Sequence, residues 1–141
     1  MGSASDENKE RQREFVERVQ NRGELDAIEE FIAPDAVDHT PAPGFPGTRD
    51  GAKAILEHFR TAFPDHDAVV EHMIAEGDLV ATYKTFTGTH NGEFMGIPAT
   101  GTRATIRVMD FVRFREGKVV DHWNIVDVAG LMAQLGVLPA E

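Results

Sequence analysis

The chain has 141 residues, 41% of them hydrophobic and 27% charged, which is typical of one soluble globular domain spanning 1–141. Its 24 acidic residues against 14 basic ones give a net charge of −10, which disfavours binding to nucleic acid or to an anionic membrane. Without cysteine there is no disulfide or thiolate chemistry, and with no apolar run long enough for a membrane helix we expect a cytoplasmic protein.

The first half of the chain has helical periodicity. After about residues 1–6, a candidate disordered or tag-derived segment, the spacing of apolar residues predicts helices over about 5–21, 24–33 and 48–63. Ser5 or Asp6 is expected to cap the first helix, Pro34 to end the second and Thr48 to cap the third. A short extended piece at 36–40 and a proline-rich loop at 41–47 separate the second helix from the third.

The second half alternates with the period of β-strands. We predict strands over 66–76 and 79–90, a loop over 91–101, and a hairpin from Thr102 to Asp127 that turns at Glu116-Gly117. A short helix over about 128–135 and the segment Gly136-Val-Leu-Pro end the chain. Helices followed by a meander of strands predict an α+β fold, in which a curved antiparallel sheet packs against N-terminal helices as a cone with a central cavity.

The hairpin contains two acidic residues on an apolar face. If the turn is centred on Glu116-Gly117, the numbers of paired residues sum to 233, so Asp110 faces Trp123 and Val112 faces Asp121. The two acids are then diagonal neighbours, with their backbones roughly 7–8 Å apart and their side chains within reach of each other. The other face is more polar and carries the arginines and His122, so we expect the face with the two acids to line the interior.

Two acids in an apolar interior suggest acid–base catalysis. Burial would raise the pKa of Asp121 and make it a better base near neutral pH. Asp110 would then hold a proton, since two close carboxylates resist ionising together, and could donate a hydrogen bond to an oxyanion. The alternatives are a solvent-exposed or cation-paired Asp121 and a purely structural Asp110.

Other side chains are candidates for the same site. His39 is placed to act as an acid, base or donor at a pocket rim, or is an ordinary surface histidine. Substrate contacts are expected from five residues, although core packing explains them equally well: Trp123, Tyr83, Phe114, Val112 and Phe45. The six histidines show no metal-binding spacing and no phosphate-binding glycine loop occurs, so we predict neither a metal nor a cofactor.

The pattern G-x-x-x-G-I-P-A-T-G at Gly92 to Gly101, followed by D-F-V-R-F-R-E-G-K-V-V-D-H-W-N-I-V-D at Asp110 to Asp127, resembles the SnoaL-like polyketide cyclase (ester cyclase) family. Val37 to Pro41, V-D-H-T-P, is similar as well. The resemblance implies a nuclear-transport-factor-2-like cone fold and a metal-free and cofactor-free intramolecular aldol condensation. It places the catalytic base at Asp121, and Asp110 stands where the family's assisting histidine would be.

Three functions follow as alternatives. The first is an acid–base cyclase acting on a small apolar carbonyl compound. The second is a ligand-binding or dimerisation domain without catalysis, with a homodimer formed through the outer sheet residues Met109, Phe111, Val120 and Val126. Epoxide hydrolysis ranks lower, because it needs an arginine between two acids and the predicted register leaves none on the face with the aspartates.

Overall fold

The computed structural model describes residues 3–137, and its helices lie on one side of a curved sheet. The helical segments are α1 (Ala4–Phe15), a π-helix (Val16–Asn21), a 3-10 turn (Leu25–Ala27), α2 (Ile28–Phe31), α3 (Arg49–Ala62) and α4 (Val128–Gln134). The strands are β1 (Ile32–Asp38), β2 (Asp67–Glu76), β3 (Leu79–Thr89), β4 (Arg103–Arg115) and β5 (Lys118–Val126). In the described part of the chain no helix is long and apolar enough to cross a membrane.

The helix boundaries follow from their caps. The side chain of Ser3, rather than Ser5 or Asp6, caps α1, and Asp6 completes a capping box with it. Thr48 caps α3 as predicted, by accepting a hydrogen bond from the backbone of Gly51. Met1, Gly2 and residues 138–141, which include the predicted Leu138-Pro139 terminus, lie outside the described residues.

The predicted second helix is too long, because the chain becomes extended at Ile32. Strand β1 pairs in parallel with β5 at one edge of the sheet, whose strand order is β1-β5-β4-β3-β2. Pro34 lies within this edge strand, where its missing N–H removes no ladder bond that a central strand would need. The other neighbours pair antiparallel, so the predicted α+β fold with a curved sheet is confirmed and gains one parallel strand.

The hairpin turns at the predicted residues but changes register within two pairs. Glu116 and Gly117 have positive φ angles of 52° and 79°, as a tight I′-type turn requires. Phe114 pairs with Val119 as predicted, but the next pair is Arg113 with Asp121, since Val120 is an extra residue in β5. The predicted sum of 233 therefore becomes 234, and a β-bulge turns every later side chain of β5 to the other face.

The interior face of β4 is the predicted one. Its even-numbered residues from Ala104 to Phe114 are buried, while all but one of the odd-numbered residues are exposed. Core residues Phe63, Ile106 and Leu131 join β4 to α3 and α4. Towards the other end of β4 the sheet and the first helices leave a cavity between them.

Candidate active site

A cavity of about 420 Å³ lies between the helices and the concave face of the sheet. Its walls are mainly apolar, with large contributions from α1, α3 and the central strands: Phe15, Ile55, Leu56, Phe86, Ile106 and Val108. A few polar side chains converge on it from β1, β3, β4 and β5. Such a mostly apolar cavity with a small number of placed polar groups is typical of a site for a small organic molecule.

Four charged side chains cross the cavity wall in one continuous row. Lys84 on β3 forms an ion pair with Asp110 on β4. The Oδ1 atom of Asp110 accepts a hydrogen bond of 2.7 Å from Nε2 of His122 on β5, whose Nδ1 lies 3.0 Å from Oδ1 of Asp38 on β1. Asp110 is only 6% exposed and Lys84 2%. Their charges are therefore stabilised by each other and by their hydrogen bonds rather than by water.

The two flanking carboxylates hold His122 in its charged form. Burial disfavours the imidazolium, but the hydrogen bonds and negative charges of Asp110 and Asp38 outweigh it and raise the pKa of His122 to about 9. At neutral pH both ring nitrogens therefore carry protons, and each faces a carboxylate. His122 does not act as a free base in this state.

Asp110 is ionised rather than protonated, contrary to the sequence-based expectation. Burial raises its pKa, but the charge of Lys84 and the hydrogen bond from His122 outweigh this and leave the pKa well below its usual value. The pKa of Asp38 is also lowered, because the hydrogen bond and charge of His122 exceed the effect of its partial burial. Both acids are thus carboxylates at neutral pH, and one imidazolium lies between them.

A threonine orients an amide beside this row. The hydroxyl of Thr40 accepts a 2.7 Å hydrogen bond from the backbone N–H of Asn124 and lies 3.0 Å from its side-chain Oδ1, to which it donates. The amide nitrogen Nδ2 of Asn124 makes no hydrogen bond within residues 3–137. Thr40, Asn124 and Asp38 all line the cavity, so a donor and a carboxylate are available to a ligand at the same end.

Asp121 lies on the opposite face of the sheet, so the prediction that it shares the interior face with Asp110 is wrong. The bulge at Val120 turns it outward, where its Oδ1 is 2.9 Å from His39 Nε2 and its Oδ2 accepts a 3.0 Å hydrogen bond from Arg113. These two partners lower the pKa of Asp121 instead of raising it. His39 also stacks on Trp123 with ring centroids 4.6 Å apart, so Trp123 belongs to this outer cluster as well.

Arg113 lies between two acids, whereas the sequence predicted no arginine on the face that carries the aspartates. Arg113 approaches Asp78 at 3.5 Å as well as Asp121 at 3.0 Å. The three groups are on the outer face, however, and are not among the described residues that line the cavity. An epoxide bound in the cavity would not meet this arginine.

Of the predicted substrate contacts, Val112 lines the cavity and the other four do not belong to its described lining. Phe114 is core, packed with Val80 and Val119. Tyr83 lies on the outer face, parallel to the ring of His72. Phe45 is in the proline-rich loop, with its ring 6.1 Å from that of His58.

Sequence reasoning missed Asp38, Lys84, His122 and Asn124 as site residues. Lys84 had a signal, because it alternates with Thr82 and Phe86 in a strand next to Asp110 and a lysine among buried positions needs a counter-ion. For His122 and Asn124 the sequence contained only a weak signal, the adjacent valines Val119 and Val120. Both valines are buried, which a bulge allows, and the bulge turns His122 and Asn124 towards the cavity.

The protein is an α+β fold in which helices cover a curved sheet around an apolar cavity, and a row of acidic and basic side chains lies in the cavity wall. This combination is typical of an enzyme that acts on a small molecule. The family model for the SnoaL-like polyketide cyclase matches residues 10–135. The chain belongs to this family, and the predicted resemblance is confirmed. At the level of the family, its function is that of an acid–base enzyme similar to the SnoaL-like polyketide cyclases.

Individual relatives are similar to this chain over most of its length. A nogalonic acid methyl ester cyclase of Streptomyces nogalater is 32% identical over 120 residues, which are 82% of this chain and 88% of the relative. The crystal structure of AclR, a proposed hydroxylase of Streptomyces galilaeus, has 34% identity and a TM-score of 0.86, covering 98% of this chain and 86% of that one. IdmH, a proposed polyketide cyclase of Streptomyces antibioticus, has 38% identity and a TM-score of 0.79, with 92% and 99% covered.

Proposed function

We propose that this protein closes a ring in a small, largely apolar polyketide ester by intramolecular aldol condensation. The observation that carries the proposal is the row Asp38–His122–Asp110–Lys84 in the wall of an apolar cavity. The same family comprises a relative whose name is nogalonic acid methyl ester cyclase, so an ester with several carbonyl groups is the expected class of substrate.

Asp38 is the proposed base. Its Oδ1 atom is engaged by His122 and by the backbone N–H of Thr40 at 3.0 Å, whereas its Oδ2 atom has no hydrogen-bond partner in the described part of the chain. The free oxygen of a carboxylate in an apolar cavity is available to remove a proton next to a carbonyl group. His122 holds that carboxylate in place and, with Lys84, compensates the charge of Asp110, so an enolate nearby would not face an unbalanced anion.

Asn124 is the proposed donor to the enolate oxygen. The hydroxyl of Thr40 holds the side-chain Oδ1 of Asn124, which leaves Nδ2, unpaired within residues 3–137, available to a ligand. Amide donors that are oriented before the reaction stabilise developing negative charge. The proton removed by Asp38 returns to the alkoxide that forms when the enolate carbon bonds to the second carbonyl carbon. The C–H bond and the π bond of the second carbonyl group are exchanged for one C–C and one O–H bond, so this aldol addition is an isomerisation that needs no oxidant.

Asp121, with His39, is the competing base, because the family resemblance assigns it that position. Turnover of nogalonic acid methyl ester, and exchange of the α-protons of 2-tetralone with D2O followed by NMR, would separate the two candidates. We expect Asp38→Asn to slow proton removal by roughly 10²–10⁴-fold and Asp121→Asn to leave it within about twofold. The reverse pattern would transfer the role of base to Asp121.

The non-catalytic alternative keeps one supporting feature, an apolar outer face. Met109 and Phe111 are exposed on it, and so is Ile125 at 77%, which suggests a homodimer formed through the sheet. Of the other residues expected there, Val120 is buried and Val126 lines the cavity. A sedimentation experiment on the Ile125→Glu variant tests the dimer, which we expect to dissociate.

A cytoplasmic location and a single domain over 1–141 remain predictions.

A further inference from the structure

Two buried glutamine side chains face the cavity from the helical side. They lie near Lys84, at the opposite end from Asp38 of the row of four charged side chains. Gln12 of α1 is 3% exposed and Gln20 of the π-helix is 8% exposed, and both line the cavity. The amide of Gln12 has no hydrogen-bond partner within residues 3–137. Gln20 accepts one bond from Lys84 through Oε1 at 3.2 Å, and its Nε2 is likewise unpaired in that part of the chain.

Neither amide is among the fully buried polar groups that lack a partner, so the unpaired amide atoms are open to the cavity, where a ligand or water satisfies them. An apolar residue would fill both positions at lower cost if they served only to pack the core. The two amides are therefore better explained by an oxygen-bearing group that binds between them.

The backbone around Gln20 is built to hold its side chain in place. The π-helix Val16–Asn21 widens the turn here, a geometry found often at functional sites. The carbonyl oxygen of Gln20 accepts a 3.1 Å hydrogen bond from Arg60 and lies 2.6 Å from Nε2 of His66. The side chain of Arg60 in α3 and that of His66, which precedes β2, thus fix the backbone that carries the amide, as a preorganised binding group requires.

We propose that Gln12, Gln20 and Lys84 form a second polar subsite, which binds a carbonyl or phenol oxygen of the substrate remote from the reacting carbon. Lys84 connects the subsite to the reaction end through Asp110 and His122. The ligand class is then a polycyclic or extended molecule with oxygen at two separated ends of an apolar body. The inference rests on the proposed function for the use of the cavity, but it concerns binding and is tested without turnover.

The probes are 1,5-dihydroxynaphthalene, with oxygen at two ends, and 1-naphthol, with oxygen at one. We expect calorimetry to show tighter binding of the diol by the wild-type protein, by roughly 5- to 10-fold. Gln12→Leu and Gln20→Leu should remove that preference. Gln134→Leu makes the same chemical change outside the cavity lining, and we expect it to keep the preference.

A second readout separates binding from structure. If Gln12 serves the ligand, Gln12→Leu should keep or raise the melting temperature of the ligand-free protein, because the amide makes no hydrogen bond to residues 3–137 that the substitution could remove. A lowered melting temperature together with an unchanged preference for the diol would overturn the subsite. So would equal binding of both probes by the wild type. If neither probe binds, both the subsite and the use of the cavity for such molecules are refuted, whereas failure of Asp38→Asn to slow proton removal would refute only the proposed base.

Discussion

The two faces of the hairpin carry similar groups in opposite environments. On the inner face a histidine stands between two aspartates, and a lysine beyond them is almost fully buried. On the outer face Asp121 is held by His39 and Arg113, whose side chains are 39% and 40% exposed. Water screens the outer charges much more than the Lys84–Asp110 pair, whose side chains are 2% and 7% exposed, so similar ion pairs should differ in energy, pH response and chemical use.

The largest difference is expected in stability. Asp110→Asn leaves Lys84 buried without its counter-ion, and we expect the free energy of unfolding to fall by roughly 3–5 kcal/mol in urea titrations. Asp121→Asn removes a solvent-screened partner and should cost less than about 1 kcal/mol. Adding Lys84→Met to Asp110→Asn should recover part of the loss, because no unpaired charge then remains. Equal losses for the two aspartate variants would contradict the comparison.

The dependence of stability on pH should come from the inner face. The pKa of His122 is raised from 6.5 in the unfolded chain to about 9 in the fold, so its stabilisation is complete below pH 6.5 and is lost as pH rises through 9. We expect unfolding in urea to show a decrease of roughly 2–3 kcal/mol between pH 6.5 and 9.5. The lowered pKa values of Asp38 and Asp110 add no slope in this window.

His122→Gln is the control for that profile, and its stability should vary much less over the same pH range. The titration of the ring itself can be followed by NMR, with His39→Gln used to assign the outer histidine. A ring of His122 that loses its proton near pH 6.5 would show that the carboxylates do not hold it charged.

The sequence predicted the fold and the position of Asp110 on the inner face of the hairpin. The periodicity of 3.6 and then 2, the cap at Thr48 and the turn at Glu116-Gly117 are local features, and local interactions determine them. Asp110 was correctly placed in the interior, because the alternation of β4 continues without interruption. These features do not depend on how the strands pair.

The positions of Asp121 and His122 depended on one extra residue in β5. Both Val119 and Val120 are apolar, so an uninterrupted strand and a bulge fit the pattern equally well, yet the bulge exchanges Asp121 for His122 on the inner face. Asp38 was missed because the pairing of β1 with β5 joins residues more than 80 positions apart. Long-range register is set by tertiary packing rather than by the residues of either strand alone.

A smaller effect on the inner face should follow from Thr40→Val. The variant keeps the size of the side chain but loses the hydroxyl that orients Asn124, so we expect the rate of α-proton exchange of 2-tetralone to fall by roughly tenfold with little change in melting temperature. Thr40→Ser retains the hydroxyl and should retain most of the rate. If Val and Ser behave alike, Thr40 does not aim the amide.

The smallest effect belongs to the outer face. A double-mutant cycle of His39→Gln and Asp121→Asn should give a coupling energy of about 0.2–1 kcal/mol, since the pair is accessible to water. About 1 M NaCl shortens the screening length to roughly 3 Å and should remove most of this coupling, while the cycle of Lys84→Met and Asp110→Asn should change little. A coupling at Asp121 that resisted salt would mean that this face is covered, as the proposed homodimer would cover it, and the Ile125→Glu variant should then restore the salt dependence.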